Sequence, residues 1–161
     1  VDLATLIEDV MQGTRTALAA VPGVARLVGG HSAGGHLCAT LASRLPEAHW
    51  AGCIPTSGVF ELPPLMATSL NDALRLDYAT ADALSAMYLP APKGVPVLAC
   101  VGGAESSEFL RQSQGLARRW SAGGGTAASA EFPHLNHFTM QDQWVNPQGP
   151  LMLAALGMLA G

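Results

Sequence analysis

Apolar positions recur along the first twenty residues at the three- and four-residue spacing of a helix: Leu3, Leu6, Ile7, Val10 and Met11, then Leu18 a further period on. This predicts an amphipathic helix from residue 2 to about 20, broken by Val21-Pro22-Gly23. The pattern then changes to a short continuous apolar run, Ala25 to Val28, which reads as a buried strand. A small-residue segment from Gly34 to about Arg44, closed before Pro46, reads as the next helix. Trp50 to Ser57 predicts a second buried strand in which Pro55 removes one ladder donor. From Gly58 to Pro92 the pattern is irregular, with weak helical stretches around 67–76 and 79–87 bracketed by Pro63-Pro64 and Pro90. An insertion of this kind after a core strand commonly forms a lid or pocket wall. Val95 to Val101 is the clearest strand, followed by the loop Gly102 to Ser106 and a helix from Ser107, its expected cap, to Trp120. After a glycine-rich turn come a last strand, Ala128 to Phe132, the loop Pro133 to Phe138 and a closing helix, Gln148 to Leu159. Strands alternating with helices predict one α/β domain over residues 1–161, with a parallel sheet and right-handed crossovers.

Composition narrows the class. A chain of 161 residues can bury about 68–70% of its unfolded surface around one core. With 49% apolar and 12% charged residues it suits strands covered on both faces. A net charge of −4 without a basic run argues against nucleic acid and anionic lipid as partners and leaves a small-molecule substrate, with a homodimer left open. The longest apolar stretch, Leu151 to Ala160, is too short to span a bilayer, and no basic n-region opens the chain, so a cytoplasmic location is expected. Cys38, Cys53 and Cys100 lie in apolar segments without ligand spacing, which predicts buried thiols of a reduced compartment and neither metal nor cofactor.

The candidate chemistry starts at Gly30-His31-Ser32-Ala33-Gly34-Gly35, set between a strand and a helix. G-x-S-x-G arises by chance in a chain with 18 glycines, but the flanking elements are those of a nucleophile elbow. There a strained turn lifts the serine hydroxyl above the sheet, and the flanking glycines are expected where strand and helix approach too closely for a Cβ. A serine hydroxyl is a poor nucleophile until a histidine accepts its proton, and that imidazole needs a carboxylate to fix its tautomer. The expected chain order is Ser32, then the acid, then the histidine. Glu105 follows the strand Val95 to Val101, and His137 follows the strand Ala128 to Phe132. Both lie on the carboxyl rim where Ser32 also sits. Glu108 competes with Glu105, but in a first helical turn it is expected to serve the helix dipole. His134 competes with His137 from the same loop, while His31, His36 and His49 fall in the wrong elements for a base. The amide of Ala33 can supply one oxyanion donor, and no earlier strand with a glycine-rich loop precedes Ser32 to supply a second. Phe60, Phe138 and Trp144 are candidate pocket walls or core residues.

The stretches Gly30 to Leu37, Ser57 to Leu65, Glu105 to Ser113 and Asn136-His137-Phe138 together resemble the α/β-hydrolase arylformamidases, or kynurenine formamidases, and their close esterase relatives. Many esterases share the elbow; the blocks Ser57-Gly58-Val59-Phe60-Glu61-Leu62 and Glu108-Phe109-Leu110-Arg111-Gln112-Ser113 are more specific in combination. The resemblance implies an α/β-hydrolase fold, here the C-terminal portion of its sheet with the flanking helices. It also implies metal-free hydrolysis of N-formylkynurenine to kynurenine and formate in tryptophan degradation. Ser32 would be the nucleophile, His137 the base and Glu105 the acid, where the family usually carries Asp. The family's His-Gly-Gly oxyanion motif and first strands would lie upstream of residue 1. A general aryl or acyl esterase of the same fold remains an alternative, as does, from another class, a silent hydrolase fragment or scaffold.

Overall fold

The computed structural model describes residues 2–160. Four strands, β1 (Leu27–His31), β2 (Gly52–Thr56), β3 (Pro96–Gly102) and β4 (Thr126–Phe132), pair in parallel in the order β1-β2-β3-β4. The principal helices are α1 (Leu3–Ala20), α2 (Ala33–Arg44), α5 (Ser107–Ala122) and α6 (Pro150–Ala160). Between β2 and β3 the chain forms only the short α3 (Asn71–Leu74) and α4 (Tyr78–Leu84) with two 3-10 turns. The weak helical patterns of that stretch therefore yield helices of only one and about two turns. Among the described residues no helix is long and apolar enough to cross a membrane.

The sheet divides the core in two. Cys53, Val97 and Ala99 face one side, where Ile7 and Met11 of α1, Cys38 and Leu41 of α2, and Leu116 and Trp120 of α5 pack against them. Ile54 and Cys100 face the other, against Leu151 and Ala155 of α6 and Met140. Burial on both faces, complete in β2 and nearly so in β3, accounts for their runs of apolar residues without alternation. All three cysteines are buried free thiols.

β1 departs from the expected Ala25–Val28. The Arg26 guanidinium donates to the carbonyls of Leu18, Val21 and Ala48, so Arg26 ties down the turn before the strand instead of entering it. The strand runs on past Val28, where the apolar run ends, through Gly29 and Gly30 to His31, the first residues of the expected turn. A Cβ on Gly29 would lie 2.3 Å from the Trp144 ring, and one on Gly30 would lie 2.3 Å from the Gly34 carbonyl oxygen. Close approach of other groups is what makes glycine necessary in this strand. Pro55 acts as expected: β2 registers with β3 at Cys53 opposite Val97 and at Thr56 opposite Cys100, and not across Ile54 and Pro55 between them.

The segment after β2 is held by α5. Gln112, 3% exposed, accepts the amides of Phe60 at 2.6 Å and Glu61 at 2.8 Å through Oε1 and donates to the Glu61 carbonyl through Nε2. Arg111 bridges Glu61 and Glu108, and Tyr88 donates to Glu61. The two blocks that carry the sequence resemblance are thus one contact in space. At the start of α5 the cap is Ser106, whose Oγ accepts the Phe109 amide; Ser107, the expected cap, is the first helical residue.

Candidate active site

Ser32 occupies the turn between β1 and α2 with φ 57° and ψ −118°, a conformation that costs an L-residue roughly 1–3 kcal/mol and persists only where surroundings impose it. Its amide donates to the Thr56 carbonyl at 2.9 Å, and its carbonyl accepts the amides of Gly35 and His36 at 2.9 and 3.2 Å. These bonds fix the turn at both ends. The glycines of the motif do unequal work. Gly30 is required, but a Cβ on Gly34 would meet nothing within 4 Å, whereas one on Gly35 would lie 2.9 Å from Gly58 Cα and 3.0 Å from the Thr56 carbonyl oxygen. The close approach of helix and strand falls one residue later than the motif suggests. Gly35→Ala is therefore expected to destabilise the fold by about 1–3 kcal/mol through overpacking against backbone. Gly34→Ala should stabilise it by about 0.5–1 kcal/mol through helix propensity. Urea midpoints of the two variants check the order, and equal midpoints would contradict the packing described.

The structure brings Ser32, His137 and Glu105 together from the carboxyl ends of β1, β4 and β3. His137 Nδ1–H donates to Glu105 Oε2 at 2.8 Å, which leaves Nε2 to accept the Ser32 hydroxyl at 3.0 Å. The Glu105 side chain is fully buried. Its second oxygen, Oε1, accepts the Ser57 hydroxyl at 2.6 Å and the Gly102 amide at 2.8 Å, so the carboxylate keeps its lone pairs satisfied away from water. Gly102 gives the longer glutamate its room: a Cβ there would stand 3.2 Å from Glu105 Oε1 and 2.3 Å from the Leu135 carbonyl oxygen.

The rivals lie elsewhere. Glu108 sits in the first turn of α5, bonded to Arg111 and Gln112. Arg111 beside it holds its carboxyl below the usual range. His134 is exposed at a turn with φ 65°, and His49 is exposed at the far end of the sheet. His36 is buried, and its Nδ1–H donates to the Val59 carbonyl at 2.9 Å; burial pushes its pKa down, so the ring is neutral. Ala33 is the first residue of α2, and its amide has no intrahelical acceptor and points from the helix start beside Ser32. Of the aromatic candidates, Phe60 is fully buried core, where it fills the space under Gly58. Phe138 stands edge-on to His137 with centroids 5.8 Å apart. Trp144 covers Gly29, donates to Thr56 Oγ1 at 3.0 Å and borders a cleft with Gly30 and His31 along β1.

Three contributors escape a sequence reading. Ser57, buried with φ 48°, turns its hydroxyl onto Glu105. His31, the variable residue of the elbow motif, donates through Nε2 to the His137 carbonyl at 2.7 Å and so anchors the His137 loop to the elbow. Phe109 lies against the His137 ring with centroids 4.6 Å apart. His31 adjoins the motif serine, and Ser57 and Phe109 lie in the two blocks that carry the resemblance, but nothing in the sequence assigns any of them these contacts.

Beside Ser32 a pocket of about 420 Å³ opens between α1, α2 and the segment after β2. A second cavity of about 440 Å³, bordered by Trp50 and Val95, lies at the opposite end of the strands, away from these groups.

A parallel sheet that places serine, carboxylate and histidine in this order at the carboxyl ends of β1, β3 and β4 is an α/β-hydrolase fold. No protein-family model matches the chain. Solved structures do. A protein provisionally described as a thioesterase, from Silicibacter sp. TM1040, is 26% identical with a TM-score of 0.82, over 100% of this chain and 60% of its own. The esterase of Pyrobaculum calidifontis is 14% identical with a TM-score of 0.74, over 99% of this chain and 62% of its own. The acylaminoacyl peptidase of Pyrococcus horikoshii is 16% identical with a TM-score of 0.65, over 84% of this chain and 24% of its own. This chain thus spans less than two thirds of each neighbour. The neighbours share the fold and differ in the bond their names assign to them.

Proposed function

We propose that this chain carries the reacting groups of a serine hydrolase that cleaves a carboxylic ester or formamide through an acyl-serine. The observation that carries this reading is the continuous line Ser32 Oγ, His137, Glu105 at 3.0 and 2.8 Å, with Ser32 held in a strained turn. In this mechanism Ser32 Oγ attacks the carbonyl carbon while its proton passes to His137 Nε2. The resulting imidazolium is stabilised by the Glu105 carboxylate. The Ala33 amide donates to the tetrahedral oxyanion. A second donor is proposed to come from a glycine-rich loop preceding these residues, as the resemblance implies. His137 then returns its proton to the leaving oxygen or nitrogen as that bond breaks. Water, deprotonated by His137, attacks the acyl-Ser32 carbonyl, and His137 returns that proton to Ser32 Oγ as the acyl bond breaks, which releases the acid and restores the hydroxyl.

Two substrates fit this chemistry. The resemblance in the Ser57 and Glu108 blocks points to the formamide of N-formylkynurenine. The apolar pocket beside Ser32 favours a carboxylic ester. Comparing kcat/KM of the complete protein on N-formylkynurenine and on phenyl acetate separates them. A site built for the amino acid end of the formamide should prefer it by about 10⁴ or more. Preference for the ester supports esterase activity, and hydrolysis of neither by the folded protein would refute the reading.

A further inference from the structure

The geometry points to an ester of an aliphatic acid several carbons long as the substrate, with its acyl chain seated in the 420 Å³ pocket beside Ser32. This rests on Ser32 being the nucleophile. The wall is built from Leu3 of α1, Leu37 of α2 and Leu62, Leu65 and Leu74 of the segment after β2, and no Asp, Glu, Lys or Arg borders it. His36 also borders it, uncharged and with its Nδ1–H committed to Val59. A substrate bringing an ammonium and a carboxylate into this pocket would leave both unpaired at a cost of several kcal/mol by general experience with buried charge, whereas an alkyl chain brings no polar group of its own and leaves His36 Nε2, already without a partner among the described residues, as it stands.

The side of the bond follows from the proton. The leaving group must take its proton from His137 Nε2, so it lies on the side of His137, whose ring is flanked by Phe109 and Phe138. The pocket is bordered by Ser32 and Ala33 but not by His137. It therefore receives the acyl part. In a formamide the acyl part beyond the carbonyl is one hydrogen, which would leave the pocket unfilled.

The test is a series of p-nitrophenyl esters, from acetate to hexanoate, hydrolysed by the complete protein. Each methylene buried should raise kcat/KM by about fourfold, giving about 10² across the series. Ala73 lies exposed on the pocket's border, and Ala73→Trp should bring the hexanoate-to-acetate ratio down to about one. Binding is read without turnover on the Ser32→Ala variant by calorimetry, where the hexanoate ester should bind about 10² more tightly than the acetate. A flat or falling series together with equal binding would overturn the acyl pocket. Undiminished hydrolysis by Ser32→Ala would instead overturn the nucleophile, and the binding series would still report on the pocket.

Discussion

Replacing Ser32 by alanine is expected to lower kcat for ester hydrolysis by about 10⁶, leaving a folded protein that still binds substrate. The size follows from covalent catalysis. Without Oγ there is no acyl-enzyme, and His137, held by Glu105, has no serine proton to accept. The variant should fold because Ser32 is fixed through its amide and carbonyl, which alanine retains, while among the described residues its hydroxyl bonds only His137. Steady-state assay on p-nitrophenyl butyrate, with the urea midpoint as a control, checks it. A loss of less than about tenfold would remove Ser32 from the reaction.

The second large effect separates the two glutamates. Glu105→Gln keeps the shape of the side chain but places an amide against His137 Nδ1, which turns the imidazole to the wrong tautomer. A loss of about 10⁴ in kcat is expected. Glu108→Gln removes one partner of an exposed Arg111 and should leave kcat within about threefold, since exposed ion pairs contribute little. Measuring both variants at pH 7 decides the matter, and the reverse ranking would assign the acid to Glu108.

Much of this site was readable from sequence because its parts are local. The elbow needs a strand, a turn and a helix within some twenty residues, and Ala25 to Arg44 shows them in order. Glu105 and His137 each follow an apolar run, which places them on the same rim once the strands are parallel. The parts that were not readable depend on distant neighbours. Gly29 belongs to a strand because Trp144 lies across it, and Gly35 is crowded because Gly58 comes to it from the next strand's end. Ser57 heads one of the blocks that carry the resemblance, but its role was not legible, since it comes from a left-handed backbone that aims Oγ at Glu105 across a strand pairing. The stretch after β2 carried weak periodicity because it is held by Gln112 and Arg111 of α5 and by its own turns instead of by an amphipathic face.

The most direct measurement is covalent labelling of the complete protein with an alkyl fluorophosphonate, followed by mass spectrometry of the peptides. Phosphonylation with loss of fluoride requires an activated hydroxyl, so it reads nucleophile and base together without a natural substrate. One adduct on Ser32, abolished in His137→Ala, is the predicted result. An adduct on another residue, or none on Ser32 in a folded protein that hydrolyses esters, would contradict it.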